Sequence, residues 1–254
     1  MIISHKFKYL FIEIPQTGST SISEELVKNY YGQNILHKHA HYFEFEKIAT
    51  KEEKEYFVFA GLRNPLDEIA SLYVKFKYNH QSSFTDKKNY LKYGGWISKR
   101  KLKRFNFVYE KKTSFKAFLK KLYPVPIPYS NGLDFNKKLC NFIMRFENLN
   151  EDFSKVLKIL KIPQIRPLQK INITSHKKDY LFYYGQDIIK YAKKIFGPFM
   201  IEWGYKFPET WPNYKVSRFS WITYKIMKKI RFFYAILTKN GILRNIRFLK
   251  EWIG

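Results

Sequence analysis

Acidic side chains are scarce in this chain of 254 residues: 21 Asp and Glu stand against 47 Lys and Arg, a formal net charge of +26. Cysteine is nearly absent. With Cys140 alone, no intrachain disulfide can form, which excludes a disulfide-stapled secreted module and suits a reducing compartment. Long apolar runs are missing too. No window of about 18 apolar residues escapes charge, and the most apolar late segment, 219–237, is interrupted by Lys225, Lys228, Lys229 and Arg231. A membrane-spanning helix is therefore not expected. The apolar stretch from Tyr9 to Ile14 is too brief for the core of a signal peptide, so a cytoplasmic location is expected. There is no repeat of fixed period, and no Gly-x4-Gly-Lys-Ser/Thr nucleoside-triphosphate loop.

What is present can build a core. A composition of 45% hydrophobic and 19% aromatic residues excludes wholesale disorder despite the charge. The basic surplus is uneven: residues 1–80 hold 10 basic and 10 acidic side chains, 87–112 hold 10 and 1, 113–205 hold 16 and 7, and 206–254 hold 11 and 2. Different parts of the chain thus face different partners. Lys dominates Arg, and neither an arginine-rich reader helix nor an aromatic RNA-binding motif is found, which argues against a nucleic-acid partner.

Hydrophobic periodicity predicts three strand-helix units. Lys8 to Ile14 reads as a buried strand closed by Pro15 and Gly18. Ser19-Thr20-Ser21 then opens a helix with hydroxyl caps, acids in its first turn, Ile22, Leu26 and Tyr30 on one face, and Gly32 as its stop. The pattern recurs at Tyr56 to Leu62, where Asn64 caps and Pro65 suits the first position of a helix carrying Ile69, Leu72, Tyr73 and Phe76. A third unit runs from Asn141 to Phe146 and on to Phe153, Val156, Leu157 and Leu160. Three such units predict an α/β fold with a parallel sheet. The Lys-rich stretch 81–112 and the Pro-containing stretch 123–134 read as loops or insertions.

Chemistry concentrates in the first two turns. Ile14-Pro-Gln-Thr-Gly-Ser-Thr-Ser21 places small residues, hydroxyls and backbone N–H groups at a helix N-terminus, which is either an anion site or simply a capped helix. Arg63 stands at the end of the second strand with Ser71 about two turns later, a pairing suited to a phosphate.

Together these segments resemble the sulfotransferases that use 3′-phosphoadenosine-5′-phosphosulfate, particularly the bacterial-type carbohydrate branch, with its Ile-Pro-Lys-Thr-Gly-Gly-Thr-Ser, Val-Arg-Asn-Pro and later Ser-x-Tyr. Three further segments follow in order: Arg145-Phe-Glu-Asn-Leu-Asn-Glu-Asp-Phe153, Asn172-Ile-Thr174 with Tyr180, Tyr183 and Tyr184, and Trp203-Gly-Tyr-Lys-Phe207. The resemblance implies a P-loop-kinase-like parallel sheet flanked by helices, with a basic loop insertion and a basic helical C-terminal tail. It implies a sulfotransferase domain over 1–207, with insertions in 81–134 meeting the acceptor, followed by a tail over 208–254. Gln16, Thr17, Gly18, Ser19, Thr20 and Ser21 would hold the 5′-phosphosulfate, Arg63 and Ser71 the 3′-phosphate, and the loop with Lys170, Asn172 and Thr174 would close over the donor. No metal is expected. The acceptor implied is a hydroxyl of a glycan or glycolipid, which the basic loops would suit if it is anionic.

One position departs from the pattern. Gln16 stands where the family usually carries Lys, so either another cation, such as Lys170 or Lys177, reaches the site, or activity is reduced while donor binding persists. An acceptor hydroxyl needs a general base, and the run His37-Lys-His39-Ala-His41 offers candidates. Lys38-His39-Ala40 resembles a bacterial family segment that favours His39, whereas His39-Ala-His41 resembles the His-Gly-His of uronyl sulfotransferases, which favours His41. Glu147 and Asp152 read as helix-start acids that interact with the dipole. In the tail, Ile222, Ile226, Ile230, Phe233 and Leu237 share a helical face, with lysines between them. That suits either a helix lying on an anionic membrane through 219–237 or a terminal helix docked on the domain.

Overall fold

The computed structural model describes residues 1–128, 139–169, 171 and 174–239. Lys170, Asn172 and most of the 123–134 stretch beyond Pro128 lie outside the described residues. The chain divides into two compact units, Met1–Asn64 with Ser130–Ile173, and Pro65–Tyr129 with Thr174–Gly254.

The first unit is a five-stranded sheet in the order β3-β1-β2-β4-β5, built from β1 (Ile2–Ser4), β2 (Tyr9–Ile12), β3 (Gln33–Asn34), β4 (Phe57–Leu62) and β5 (Phe142–Arg145). The three strands expected from the sequence form its parallel part, with Phe11 opposite Phe59 and Phe59 opposite Phe142. β1 runs antiparallel to β2 and β3, so it alone opposes the other four. Neither β1 nor β3 is expected from the sequence. Each is too short to show a periodicity, and β3 is two exposed polar residues.

Alternation along the strands builds the core. Tyr9, Phe11, Phe59 and Met144 face one side and meet Ile22 and Leu26 of α1 (Ser19–Asn29) and Phe153, Val156 and Leu157 of α6 (Leu149–Ile159). Full burial of each such side chain contributes about 1.5–3 kcal/mol relative to exposure. The alternate residues Leu10, Ile12, Val58, Ala60 and Leu62 are buried as well, the pattern of a sheet covered on both faces. A short helix, α2 (Tyr42–Glu46), follows the histidine run.

The expected cap of α1 is corrected. Gly18, in left-handed backbone, is the N-cap, no side chain caps the helix, and its first turn holds no acid. The hydroxyls of Ser19, Thr20 and Ser21 sit one, two and three positions too late for capping, and Glu24 and Glu25 lie further along the helix. At the other end Tyr31, not Gly32, takes positive φ, while the Gly32 N–H donates to Leu26 O.

The second unit is helical, with α3 (Pro65–Lys77), α4 (Lys99–Tyr109), α5 (Phe115–Leu122), α7 (Gln186–Glu202) and α8 (Arg218–Lys239). Pro65 occupies the first position of α3, as expected. Rings make its core: Tyr73 packs edge-on against Phe115 at 5.3 Å, and Phe84 stacks on Phe105 at 4.9 Å. The reading of 81–112 as loop is corrected for α4. Ser98 Oγ accepts the Lys101 N–H, and Phe105 and Val108 are buried one turn apart. Its many charges mask that spacing in the sequence. Among the described residues no helix is long and apolar enough to cross a membrane.

Candidate active site

The turn between β2 and α1 is tight and closely packed. Gln16 (φ 67) and Gly18 (φ 77) both take left-handed backbone, and the Thr17 hydroxyl closes the turn by donating to Ile14 O at 2.8 Å. Two glycines make room for it. A Cβ on Gly18 would stand 2.6 Å from a Leu149 methyl, and one on Gly61 would stand 2.6 Å from Thr17 Oγ1. Helix geometry leaves the first N–H groups of α1 without an intrahelical carbonyl, at the positive end of the helix dipole. Thr20 is half-buried beside them, and Ser21 Oγ accepts the Ile171 N–H at 3.3 Å.

Arg63 is buried beneath the turn. Its Nη1 donates to Gln16 O at 3.1 Å, and its guanidinium carbon lies 4.0 Å from the centre of the Phe146 ring. The Asn64 N–H donates to Glu147 Oε1 at 2.7 Å, and Asn150 Oδ1 accepts the Leu168 N–H at 2.8 Å. The 145–150 block thus braces the end of β4, through Phe146 and Glu147, and the segment at Leu168. Glu147 and Asp152 do more than face a helix dipole, since buried Asp152 accepts the Arg145 N–H at 2.7 Å and pairs with Lys155 at 2.8 Å. Ser71 lies in the second unit, on α3, with no exposed surface. Thr174 is half-buried. Tyr184, whose hydroxyl donates to Leu66 O at 3.0 Å, holds the start of α3.

The three histidines have distinct surroundings. His37 Nε2 lies 2.9 Å from Glu44 Oε2. His41 caps α2: its ring accepts the Glu44 N–H, while Glu44 accepts the His41 N–H at 3.0 Å. His39 Nδ1 lies 2.8 Å from Glu13 O, just past the end of β2. A carbonyl only accepts, so Nδ1 carries the proton and Nε2 keeps its lone pair. Burial pushes the His39 pKa down and Lys38 adds to that, outweighing the pull of Glu13 upward. This shift favours the neutral ring.

Between them stands a cation that sequence reading did not assign to the site. Lys38 Nζ donates to Thr20 Oγ1 at 3.1 Å, at the first turn of α1. Lys177, one of two cations named from the sequence, is ion-paired with Asp67 on α3. The only signal for Lys38 was its adjacency to His39. The Thr20 hydroxyl, the α1 amides and Lys38 form a donor set that fits a phosphate or sulfate group. Among the described residues no three His, Cys, Asp or Glu side chains are grouped to hold a metal ion. An open depression of about 600 Å³ near Lys193, Phe207 and Trp221 contains none of the expected site residues.

A family model described as the sulfotransferase family matches residues 1–196. The chain belongs to the sulfotransferase family. The matched span includes the turns after β2 and β4, Arg63, the histidine run and the 145–153 block, and it ends within α7, before Trp203-Gly204. Gly204 (φ 70) ends that helix, its N–H donating to Ile201 O at 3.2 Å. No curated protein and no solved structure matched this sulfotransferase.

Proposed function

We propose that this sulfotransferase moves the sulfuryl group of 3′-phosphoadenosine-5′-phosphosulfate to a hydroxyl of a glycan or glycolipid. The observation that carries the reading is the convergence of Lys38, the α1 N-terminus and neutral His39 on the turn after β2. Bound there, the donor supplies an activated sulfuryl group whose leaving side is 3′,5′-adenosine bisphosphate. The residues of the chain bind, orient and move a proton. The α1 amides and Thr20 hold the anion at a helix N-terminus, Lys38 supplies the positive charge that Gln16 lacks, and Arg63 meets the 3′-phosphate. His39 Nε2 takes the proton from the acceptor oxygen. Gln16 also favours a second reading, a binder of the bisphosphate without turnover. Incubation with labelled donor and a glycan panel separates the two: label on a glycan supports the transferase, and binding with no transfer to any glycan supports the second.

His39→Ala is expected to lower kcat by about 10²- to 10⁴-fold. Because its pKa lies below the ordinary 6.5, the acid limb of the wild-type kcat/KM profile should fall below pH 6.5. The same shift has a stability consequence. The unfolded state binds the proton first, so the contribution of His39 to folding is full above pH 6.5 and fades as pH falls toward the lower folded value. A pH–rate profile unchanged by His39→Ala would remove it as the base.

An anionic acceptor is favoured by α4. Arg100 Nη1 is buried without a hydrogen-bond partner among the described residues, and burial, then Arg104 and Arg231, lower the pKa of this arginine. Burial, with Lys75 and Arg104, pushes neighbouring Lys101 down to about 8. Clustered cations of this kind are stabilised by an anion placed among them. Arg100→Ala is expected to raise the KM for an anionic glycan by about tenfold to a hundredfold while leaving bisphosphate affinity unchanged. An unchanged KM sinks this choice of acceptor.

A further inference from the structure

The apolar face legible in the tail is not the face by which α8 packs. Ser220 and Tyr224 are buried, the Tyr224 hydroxyl and Lys228 both engage Glu202 at the end of α7, and Arg231 donates to Pro128 O. On the side turned away, Phe219, Ile222, Ile226 and Phe233 are 67%, 56%, 51% and 60% exposed. A helix that gives its polar edge to the protein and its apolar stripe to solvent inverts the usual arrangement. Helical spacing sets Arg218, Lys225 and Lys229, all exposed, along one border of the stripe. No Asp or Glu occurs between residues 210 and 239.

We propose that α8 lies in the headgroup layer of an anionic bilayer. Phe219, Ile222, Ile226, Ile230 and Phe233 enter the acyl boundary, while Arg218, Lys225 and Lys229 meet lipid phosphates. Two observations favour lipid over a second copy of this chain. Pairing of the same stripe would bring like lysines together, and exposed isoleucines and phenylalanines bordered by cations without any acid complement an anionic surface. The helix lies on the membrane rather than through it, since the lysines within it interrupt any spanning run. This inference is independent of sulfuryl transfer and stands or falls without it.

The test is flotation of the purified full chain with vesicles of phosphatidylcholine alone and of phosphatidylcholine mixed with phosphatidylglycerol. The protein should float with the mixed vesicles, not with phosphatidylcholine alone, and float less as salt rises. Lys225→Glu and Lys229→Glu should each weaken partitioning at least about fivefold. The double variant Ile226→Asp/Phe233→Asp should abolish flotation without changing the melting temperature. Protein that stays unbound with the mixed vesicles overturns the proposal, as does a double variant that still floats. A melting temperature lowered by the aspartates means that another segment of the chain covers the stripe. Loss of a dimer in sedimentation velocity, with flotation unchanged, means that a second copy does. Either result also overturns it; if the aspartate pair does not fold at all, Lys225→Glu and Lys229→Glu variants that float as the wild type does overturn it instead.

Discussion

Exchange of Lys38 for alanine is expected to lower kcat for sulfuryl transfer by about 10²- to 10³-fold, the loss that follows removal of one donor aimed at charge developing in a transition state. The melting temperature should hardly move, because Lys38 is exposed and such surface changes stay within about 0.5 kcal/mol. The reason lies in the turn. Gln16 can donate a hydrogen bond but carries no charge, and the first turn of α1 receives a cation from Lys38 through Thr20 at 3.1 Å. If the charge rather than the particular residue matters, Gln16→Lys alone should not reduce turnover, and Gln16→Lys combined with Lys38→Ala should recover most of what the single change loses. Full activity in Lys38→Ala would mean that this cation plays no part. A large loss in Gln16→Lys would instead show that Gln16 has a role of its own.

The second large effect concerns Arg63. Arg63→Ala should weaken 3′,5′-adenosine bisphosphate by about tenfold to a hundredfold, the range for a charge-assisted hydrogen bond to an ionised partner, and leave AMP nearly untouched. Thermal stabilisation reads this directly, since a ligand at a hundred times its Kd adds about 2.7 kcal/mol to the native state. Arg63 also braces the protein, donating to Gln16 O and lying over Phe146. The ligand-free variant should therefore lose about 2 kcal/mol through the lost ring contact and hydrogen bond. These two roles separate cleanly. A residue that only props the turn would, when removed, weaken AMP and the bisphosphate alike, whereas a residue that meets the 3′-phosphate weakens the bisphosphate alone. Equal loss for both ligands would withdraw the 3′-phosphate assignment.

The sequence carried the parallel strands, because Tyr9 to Ile12 and Phe57 to Leu62 are short apolar runs closed by Pro and Gly, and such punctuation acts locally. It carried the turn as well. The cap of α1 is not legible in the sequence, because a run of three hydroxyls has the pattern of a cap and only the backbone at Gly18, with its positive φ, sets the helix start. α4 was hidden by lysines and arginines that fill its outer face around two buried apolar residues.

Local pattern thus determined the order of strand, turn and helix, the family resemblance and the presence of a basic, amphipathic tail. Tertiary structure decided three things that spacing leaves open. It set Lys38 against Thr20, 18 residues earlier in the chain. It anchored His39 on Glu13 while giving His41 to the cap of α2. It turned the aromatic and isoleucine stripe of α8 outward, with Ser220 and Tyr224 buried on the opposite side and Glu202 and the carbonyl of Pro128 among the groups that hold that side. Periodicity tells which residues of a helix share a face; the groups that fold up beside it decide which face is buried.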